Sequence, residues 1–276
     1  MKLKYYGTSA AEGVPGLFCS CDVCEKSSVA GGRNIRTRSQ ALVNDALLID
    51  FPPDTMAHVM FYGLDLRNIR NIIMTHNHGD HLLAYDFEQR RIGYAHLKDD
   101  FPLNVYGSLP ACEEIKNKLE SFGCYSDNRV ILHQYQSFQP FELDGIFVTP
   151  LKANHDVRCD PHIFDIFDLQ KRMLYANDTG YFTNETWDFL EQTKPYYHLV
   201  SLDCTSMLNP WRESHMGIVI DAEVKKRLIG IGCADENTKF IVHHFSHNGG
   251  ATYDELVPIA AKYGFEVSYD TMEINF

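Results

Sequence analysis

Four apolar, β-type runs in this chain end directly on histidine or aspartate. Asn71–Met74 passes into Thr75-His-Asn-His-Gly-Asp-His81, and the run ending near Leu151 leads to Asn154-His155-Asp156. Met173–Ala176 leads to Asn177-Asp178-Thr-Gly, and Phe240–Val242 to His243-His244-Phe-Ser-His247. Runs this apolar must be buried in sheets, whereas polar residues at their ends must find water, hydrogen-bond partners or a metal. Five further runs of the same kind (KLKYYG, SQALV, ALLID, LNVYG and YHLVSL) read as strands. Helical patterns are expected over Asp54–Tyr62, Ala111–Phe122, Glu185–Gln192, Met216–Ile229 and Tyr253–Tyr263. The helix from Met216 carries Asp221 and Glu223 early and Lys225, Lys226 and Arg227 late, as its dipole favours. Ile163–Phe167 and Met173–Ala176 read as a hairpin turning near Gln170, and VAGGRNIRTRS is the most loop-like stretch. There is no fixed-period repeat and no Pro, Gly or Ser-rich linker. The expectation is an α/β fold, sheets covered by helices, in one domain over 1–276.

Length and composition narrow the partners. With 276 residues, 45% hydrophobic and 22% charged, the chain can bury a large core. Its formal charge of −12 repels polyanions, so duplex DNA or long RNA is a poor partner. A small phosphate ester remains open to it, because local metal charge overrides the global field. No apolar run approaches the roughly 20 residues that a membrane helix needs. The N-terminus reads as a strand without an apolar signal core, so the expected location is cytoplasmic, with no membrane partner. Of eight cysteines, three sit in CSCDVC, a pattern that favours reduced thiols and a metal cluster over disulfides.

Neutral imidazoles and carboxylates are the ligands that hold zinc, iron or manganese while leaving a position open for water. Alternation along the chain gives His76 and His78 a common direction, and Asp80 and His81 lie beyond the turn at Gly79. Two pairs diverging in this way suit two neighbouring metals better than one; the alternative reading is a solvated polar loop. His155, Asp178 and His244 stand at other strand ends, each alone readable as a capping or turn residue. Cys19, Cys21 and Cys24 form a C-x-C-x-x-C pattern suited to a tetrahedral structural zinc, within a metal loop of about residues 17–26. The alternative there is three buried thiols in a tight loop.

His76-x-His78-x-Asp80-His81, followed by His155, Asp178 and His244, resembles the five-motif signature of the metallo-β-lactamase fold superfamily. The resemblance runs from the first strand to the last and implies a four-layer αββα sandwich with two metals at one edge. It assigns His76, His78 and His155 to one metal, Asp80, His81 and His244 to the other, and Asp178 as the bridge. A carboxylate at Asp80 marks the dinuclear hydrolases rather than the antibiotic-degrading members. The Cys-x-Cys-x-x-Cys loop, LKANH, NDTG and the tail GFEVSYDTMEI resemble more narrowly the phosphoribosyl cyclic phosphate phosphodiesterases of the carbon–phosphorus lyase pathway. That branch implies His247 as the fourth ligand of the structural zinc. DFPPD, Asp156–Pro161 and His243 have no counterpart in it.

The resemblance implies a dinuclear phosphodiesterase, with zinc, manganese or iron at the catalytic pair. The expected substrate is a small cyclic phosphodiester such as 5-phosphoribosyl 1,2-cyclic phosphate. His215, before the Met216 helix, matches a family pocket histidine and is expected to contact substrate and act as general acid; the alternative is a helix-capping histidine. Asp80 is expected to orient the attacking water as well as bind metal. Arg33, Arg36 and Arg38 are available for phosphate recognition but are not counted in the site. The rival readings are a tRNA 3′-end nuclease, which needs a basic arm this chain lacks, a lactone or thioester hydrolase, and a non-catalytic binding module. The resemblance also allows a homodimer.

Overall fold

The computed structural model describes residues 1–276. Strands β1 (Lys2–Gly7), β2 (Gln40–Val43), β3 (Leu47–Ile49), β4 (Asn71–Ile73), β5 (Leu103–Gly107) and β6 (Val130–Gln134) build the first sheet. Strands β7 (Phe141–Leu143), β8 (Ile146–Lys152), β9 (His162–Phe167), β10 (Arg172–Ala176), β11 (Leu199–Asp203), β12 (Lys239–His243) and β13 (Glu266–Val267) build the second. Strand β14 (Glu273–Asn275) returns to the first sheet beside β1. The helices are α1 (Asp22–Ala30), α2 (Thr55–Phe61), α3 (Leu109–Ser121), α4 (Asn184–Thr193), α5 (Ile218–Gly230) and α6 (Tyr253–Lys262).

Both sheets follow one pairing plan. The first, ordered β14-β1-β2-β3-β4-β5-β6, has three antiparallel pairings and then three parallel ones. The second, β7-β8-β9-β10-β11-β12-β13, does the same. No sequence repeat announces this likeness, because pairing direction depends on connection length rather than on residue identity.

Strand alternation sorts the apolar residues into three cores. Leu47, Ile49 and Ile73 face Met173, Tyr175, Leu199 and Ile241 between the sheets. Leu48 and Ile72 point the other way, onto Ala111, Ile115 and Leu119 of α3. Leu174, Val200 and Val242 point outward onto Trp187 and Leu190 of α4, Val224 and Leu228 of α5, and Leu256 of α6. Strands buried on both faces read as continuous apolar runs, as LLI and LVSL do. The architecture is the four-layer αββα sandwich.

The expected helices form within a few residues of their predicted bounds, and β9 and β10 make the expected hairpin. Five elements differ from expectation, four strands and one helix. Strands β6, β7, β13 and β14 went unrecognised; β6 is only partly buried and the others are two or three residues long. The cysteine segment is not all loop, because Asp22–Ala30 forms α1 with Cys24 inside it and Cys21 at its N-cap. Its short, weakly patterned sequence hid it, and tertiary contacts stabilise it instead.

Candidate metal centre

The functional side chains gather where parallel strands end. Asp50 follows β3, Thr75–His81 follows β4, Asp178 follows β10, Asp203 closes β11 and His244 follows β12. Ligands in open α/β sheets bind at such carboxyl ends. Asp50 (φ 65°), Asp178 (φ 55°) and His244 (φ 62°) all adopt the left-handed region. That conformation costs a non-glycine residue about 1 kcal/mol or more and persists only where surroundings enforce it. Three such residues in one place mark a site.

The imidazoles converge in two groups. His78 Nδ1 lies 3.0 Å from His76 Nε2 and 3.0 Å from His155 Nε2. His81 Nε2 lies 3.2 Å from His244 Nε2 and 3.3 Å from Asp80 Oδ2. Asp178 stands between them, its Oδ2 at 3.1 Å from both His76 Nε2 and His81 Nε2. Its Oδ1 is buried without a hydrogen-bond donor, 3.2 Å from His215 Nδ1. The ligand-type atoms of His76, His78, His155 and Asp178 all lie within 4.8 Å of one another, and so do those of Asp80, His81, Asp178 and His244.

The far side of most rings explains why the near side suits a cation. His76 Nδ1 meets Thr75 Oγ1 at 3.0 Å, His81 Nδ1 meets Asp50 Oδ2 at 2.7 Å, and His155 Nδ1 meets the Ser214 carbonyl at 3.1 Å. His244 Nδ1 meets Thr205 Oγ1 at 2.8 Å. With Nδ1–H donating outward, these Nε2 atoms face the cluster, and the lone pairs of His81 and His244, 3.2 Å apart, repel unless a proton or a cation lies between them. Two aspartates anchor the threonines: Asp50 accepts from Thr75 N at 2.7 Å and Thr75 Oγ1 at 2.9 Å, and Asp203 accepts from Thr205 Oγ1 at 2.7 Å. Asp50, Thr75, Asp203 and Thr205 were missed in the sequence. The available signal was an aspartate closing an apolar run (LLID, LVSLD), the same pattern that drew attention to Asp178.

The electrostatics agree. Burial, then the charge of neighbouring His81, lowers the His76 pKa to about 4, so this ring is neutral as a ligand must be. Burial pushes Asp178 up, but His244 and His76 outweigh it and hold its carboxyl well below the usual range. Burial also disfavours a charged His81, yet Asp80 and then Asp50 draw a proton to it. Carboxylates that attract a proton so strongly would hold a divalent cation in its place.

His215 reaches the same cleft, with Nδ1 3.4 Å from Asp203 Oδ2. Burial lowers its pKa, but the hydrogen bond and charge of Asp203 overcome this and raise it to about 9. It precedes α5 without capping it: Gly217 is the N-cap. His243 turns away into the core, between Ser39 Oγ at 2.9 Å and Ser268 Oγ at 3.1 Å. The arginines do not line the cleft. Arg36 is buried over the Phe245 ring, Arg38 pairs with Asp54, and Arg33 lies over Tyr269.

The cysteines form a separate cluster. Cys19 Sγ and Cys21 Sγ each lie 3.5 Å from His247 Nδ1, and Gly16 N donates to Cys24 Sγ at 3.3 Å. The ligand-type atoms of Cys19, Cys21, Cys24 and His247 lie within 4.8 Å of one another, edges that tetrahedral zinc–thiolate geometry accommodates. A Cβ at Gly16 would sit 3.2 Å from His247 Nε2 and 3.3 Å from Cys19 Cβ, so the glycine leaves the cluster its room. Hydrogen bonding from the Cys24 backbone lowers the Cys21 thiol to about 6, a ready thiolate. All eight cysteines are free thiols.

The family model for the beta-lactamase superfamily domain matches residues 46–244, from β3 to the last histidine of the cluster. The chain belongs to this superfamily. A ribonuclease Z from Pyrococcus abyssi is 26% identical over 145 residues, 50% of this chain and 47% of that one. The chain spans about half or less of the length of the curated relatives it matches. Among solved structures, a diphosphatase of the PhnP family superposes with a TM-score of 0.78 at 18% identity, covering 100% of this chain and 97% of that one. Zinc-bound PqqB from Methylobacterium extorquens gives 0.75 at 17% identity, covering both chains completely. At such identities the likeness establishes the fold, which is the metallo-β-lactamase fold. No helix is long and apolar enough to cross a membrane.

Proposed function

We propose that this protein is a dinuclear metal-dependent phosphodiesterase acting on a small cyclic phosphodiester. The observation that carries the reading is Asp178: a buried carboxylate between two histidine groups, one oxygen facing both and the other without a hydrogen bond, 3.2 Å from His215 Nδ1. Under this reading His76, His78 and His155 would hold one divalent ion and Asp80, His81 and His244 the second, with Asp178 placed to serve both groups. Such a pair supplies Lewis acidity toward phosphoryl oxygens and makes water a competent nucleophile near neutral pH. The chain's residues do the rest. Asp80, at the cleft, orients the attacking water. His215, held by Asp203, delivers a proton to the leaving alkoxide. Asp50 and Asp203 keep the imidazoles in the ligating tautomer. A structural zinc on Cys19, Cys21, Cys24 and His247 would staple the segment before α1 to the loop after β12. Likeness to the PhnP-family diphosphatase supports phosphate-ester chemistry.

A nuclease acting on RNA ends is the second reading, favoured by the ribonuclease Z relatives. The net charge of −12 and a cleft without lysine or arginine weigh against a polyanionic substrate. The test is metal analysis together with a panel of bis-p-nitrophenyl phosphate, 2′,3′-cyclic nucleotides, a lactone and a tRNA precursor. Metal-dependent turnover of the small diesters with none of the precursor is expected. Turnover of the precursor or lactone alone would overturn the reading.

A further inference from the structure

The cleft over the clustered histidines has a volume of about 670 Å³, and no lysine or arginine is among its lining residues. Beyond the histidines and aspartates of the cluster, its one charged side chain is Glu12. Glu12 Oε1 accepts from Ser246 Oγ at 2.9 Å and Asn248 Nδ2 at 3.0 Å, so two donors from the loop after β12 fix the carboxylate. Its Oε2 receives no hydrogen bond from the chain, so this residue of the cleft lining keeps a free acceptor. The arginines of adjoining segments are engaged elsewhere. Arg38 donates to the Ala11 carbonyl and pairs with Asp54, Arg158 pairs with Asp156, and Arg212 pairs with Glu223. Trp211 also lines the cleft and is 57% exposed, whereas the chain's other tryptophan, Trp187, is buried in the core.

Resting on the phosphodiesterase reading but departing from the 5-phosphorylated ring that the resemblance implied, we propose that the cleft selects a diester whose non-reacting half is an uncharged, hydroxyl-bearing ring, a sugar or nucleoside, with Glu12 as the specificity-determining residue. The reacting phosphate has its counter-charge in the cluster. A second phosphate on the same molecule would find no cation among the lining residues and would meet the Glu12 carboxylate, which repels it. A hydroxyl there donates to Oε2 instead, and an amphipathic ring has the flat face of Trp211 to lie on.

The test compares kcat/KM for uridine 2′,3′-cyclic phosphate with and without a 5′-phosphate, on metal-loaded wild type and Glu12→Gln. Wild type should prefer the substrate lacking the 5′-phosphate by about tenfold or more, and Glu12→Gln should bring the two within about threefold. A purely structural defect would lower both alike and leave the ratio unchanged, which would overturn the assignment to Glu12. The wild-type ratio should also shrink as salt rises from 0.05 to 0.5 M, a readout that does not depend on any variant folding. Ribose 1,2-cyclic phosphate separates the two sources of the ring. If Trp211→Ala raises KM for the uridine substrate alone the ring is a base, if for both it is the sugar, and if for neither the Trp211 contact is refuted. Equal use of the two uridine substrates by wild type, alongside turnover of bis-p-nitrophenyl phosphate, would overturn the inference alone. No turnover of any diester by the metal-loaded enzyme would overturn the phosphodiesterase reading and the inference with it.

Discussion

Replacing Asp50 with asparagine should weaken metal binding without touching any residue that faces the metals. Asparagine is the informative choice because Asp50 has φ 65°, and asparagine tolerates that left-handed backbone better than alanine. The carboxylate is fully buried and accepts from Thr75 N at 2.7 Å, Thr75 Oγ1 at 2.9 Å and His81 Nδ1 at 2.7 Å. An amide has one acceptor oxygen, so one of these donors must face an NH₂ group. If the backbone N–H keeps the oxygen, His81 can relieve the clash only by moving its proton to Nε2, where it occupies the lone pair aimed at Asp80 and His244. Losing an orienting partner of this kind typically weakens metal affinity about 10–100-fold, roughly 1.4–2.7 kcal/mol. The mismatched buried donor should lower the stability of the metal-free protein by about 1.5–3 kcal/mol. Competition with a chromophoric chelator gives the affinities, and urea unfolding of the metal-free protein gives the stability. One equivalent should weaken more than the other, because His81 belongs to one group of ligands and the direct Asp50 contact is to His81. Two equivalents bound with wild-type affinity would refute the argument that Asp50 sets the His81 tautomer.

Asp178→Ala should lose metal occupancy and diesterase activity together; retention of both metals with near-normal turnover would remove Asp178 as the bridge. Cys21→Ser should lose about one metal equivalent and lower the melting temperature, since structural metal binding is coupled to folding; thiols that react freely in the metal-loaded wild type would count against the site. His215→Ala should keep metals and fold while losing about 10²–10⁴-fold in kcat on a cyclic ester with an alkoxide leaving group, and much less on a nitrophenyl ester; equal losses on both would make His215 a positioning residue. Burial raises the Asp270 carboxyl to about 6 despite hydrogen bonds from Thr37 and Thr8. The folded state therefore binds a proton that the unfolded chain has lost above pH 4, and this contribution, about 3 kcal/mol at most, fades as pH rises through 6. Urea unfolding of wild type and Asp270→Asn between pH 4.5 and 7 should show the wild type losing ground as pH rises; parallel curves would refute it.

The chemistry-bearing residues were legible in the sequence because ligand chemistry is a property of residue type and local spacing. Histidines and aspartates at the ends of apolar runs announce themselves, and the runs announce sheets buried on both faces. The sandwich followed from the same pattern together with the resemblance it supported. Other features are contacts between distant parts of the chain. Glu12 meets Ser246 across 234 residues, and Cys19 meets His247 across 228. Asp50, 31 residues from His81, looked in the sequence like any strand-ending aspartate. Only when β3 and β4 pair in parallel do Asp50 and the Thr75–His81 loop leave the sheet side by side. The same pairing of β11 with β12 brings Asp203 and Thr205, neighbours in the chain, to His244. Residue identity thus determined what the site is made of, and strand register determined which nitrogen of each ring faces inward. The direction of a lone pair depends on the partner across the sheet, and that partner is chosen by the packing of the whole chain.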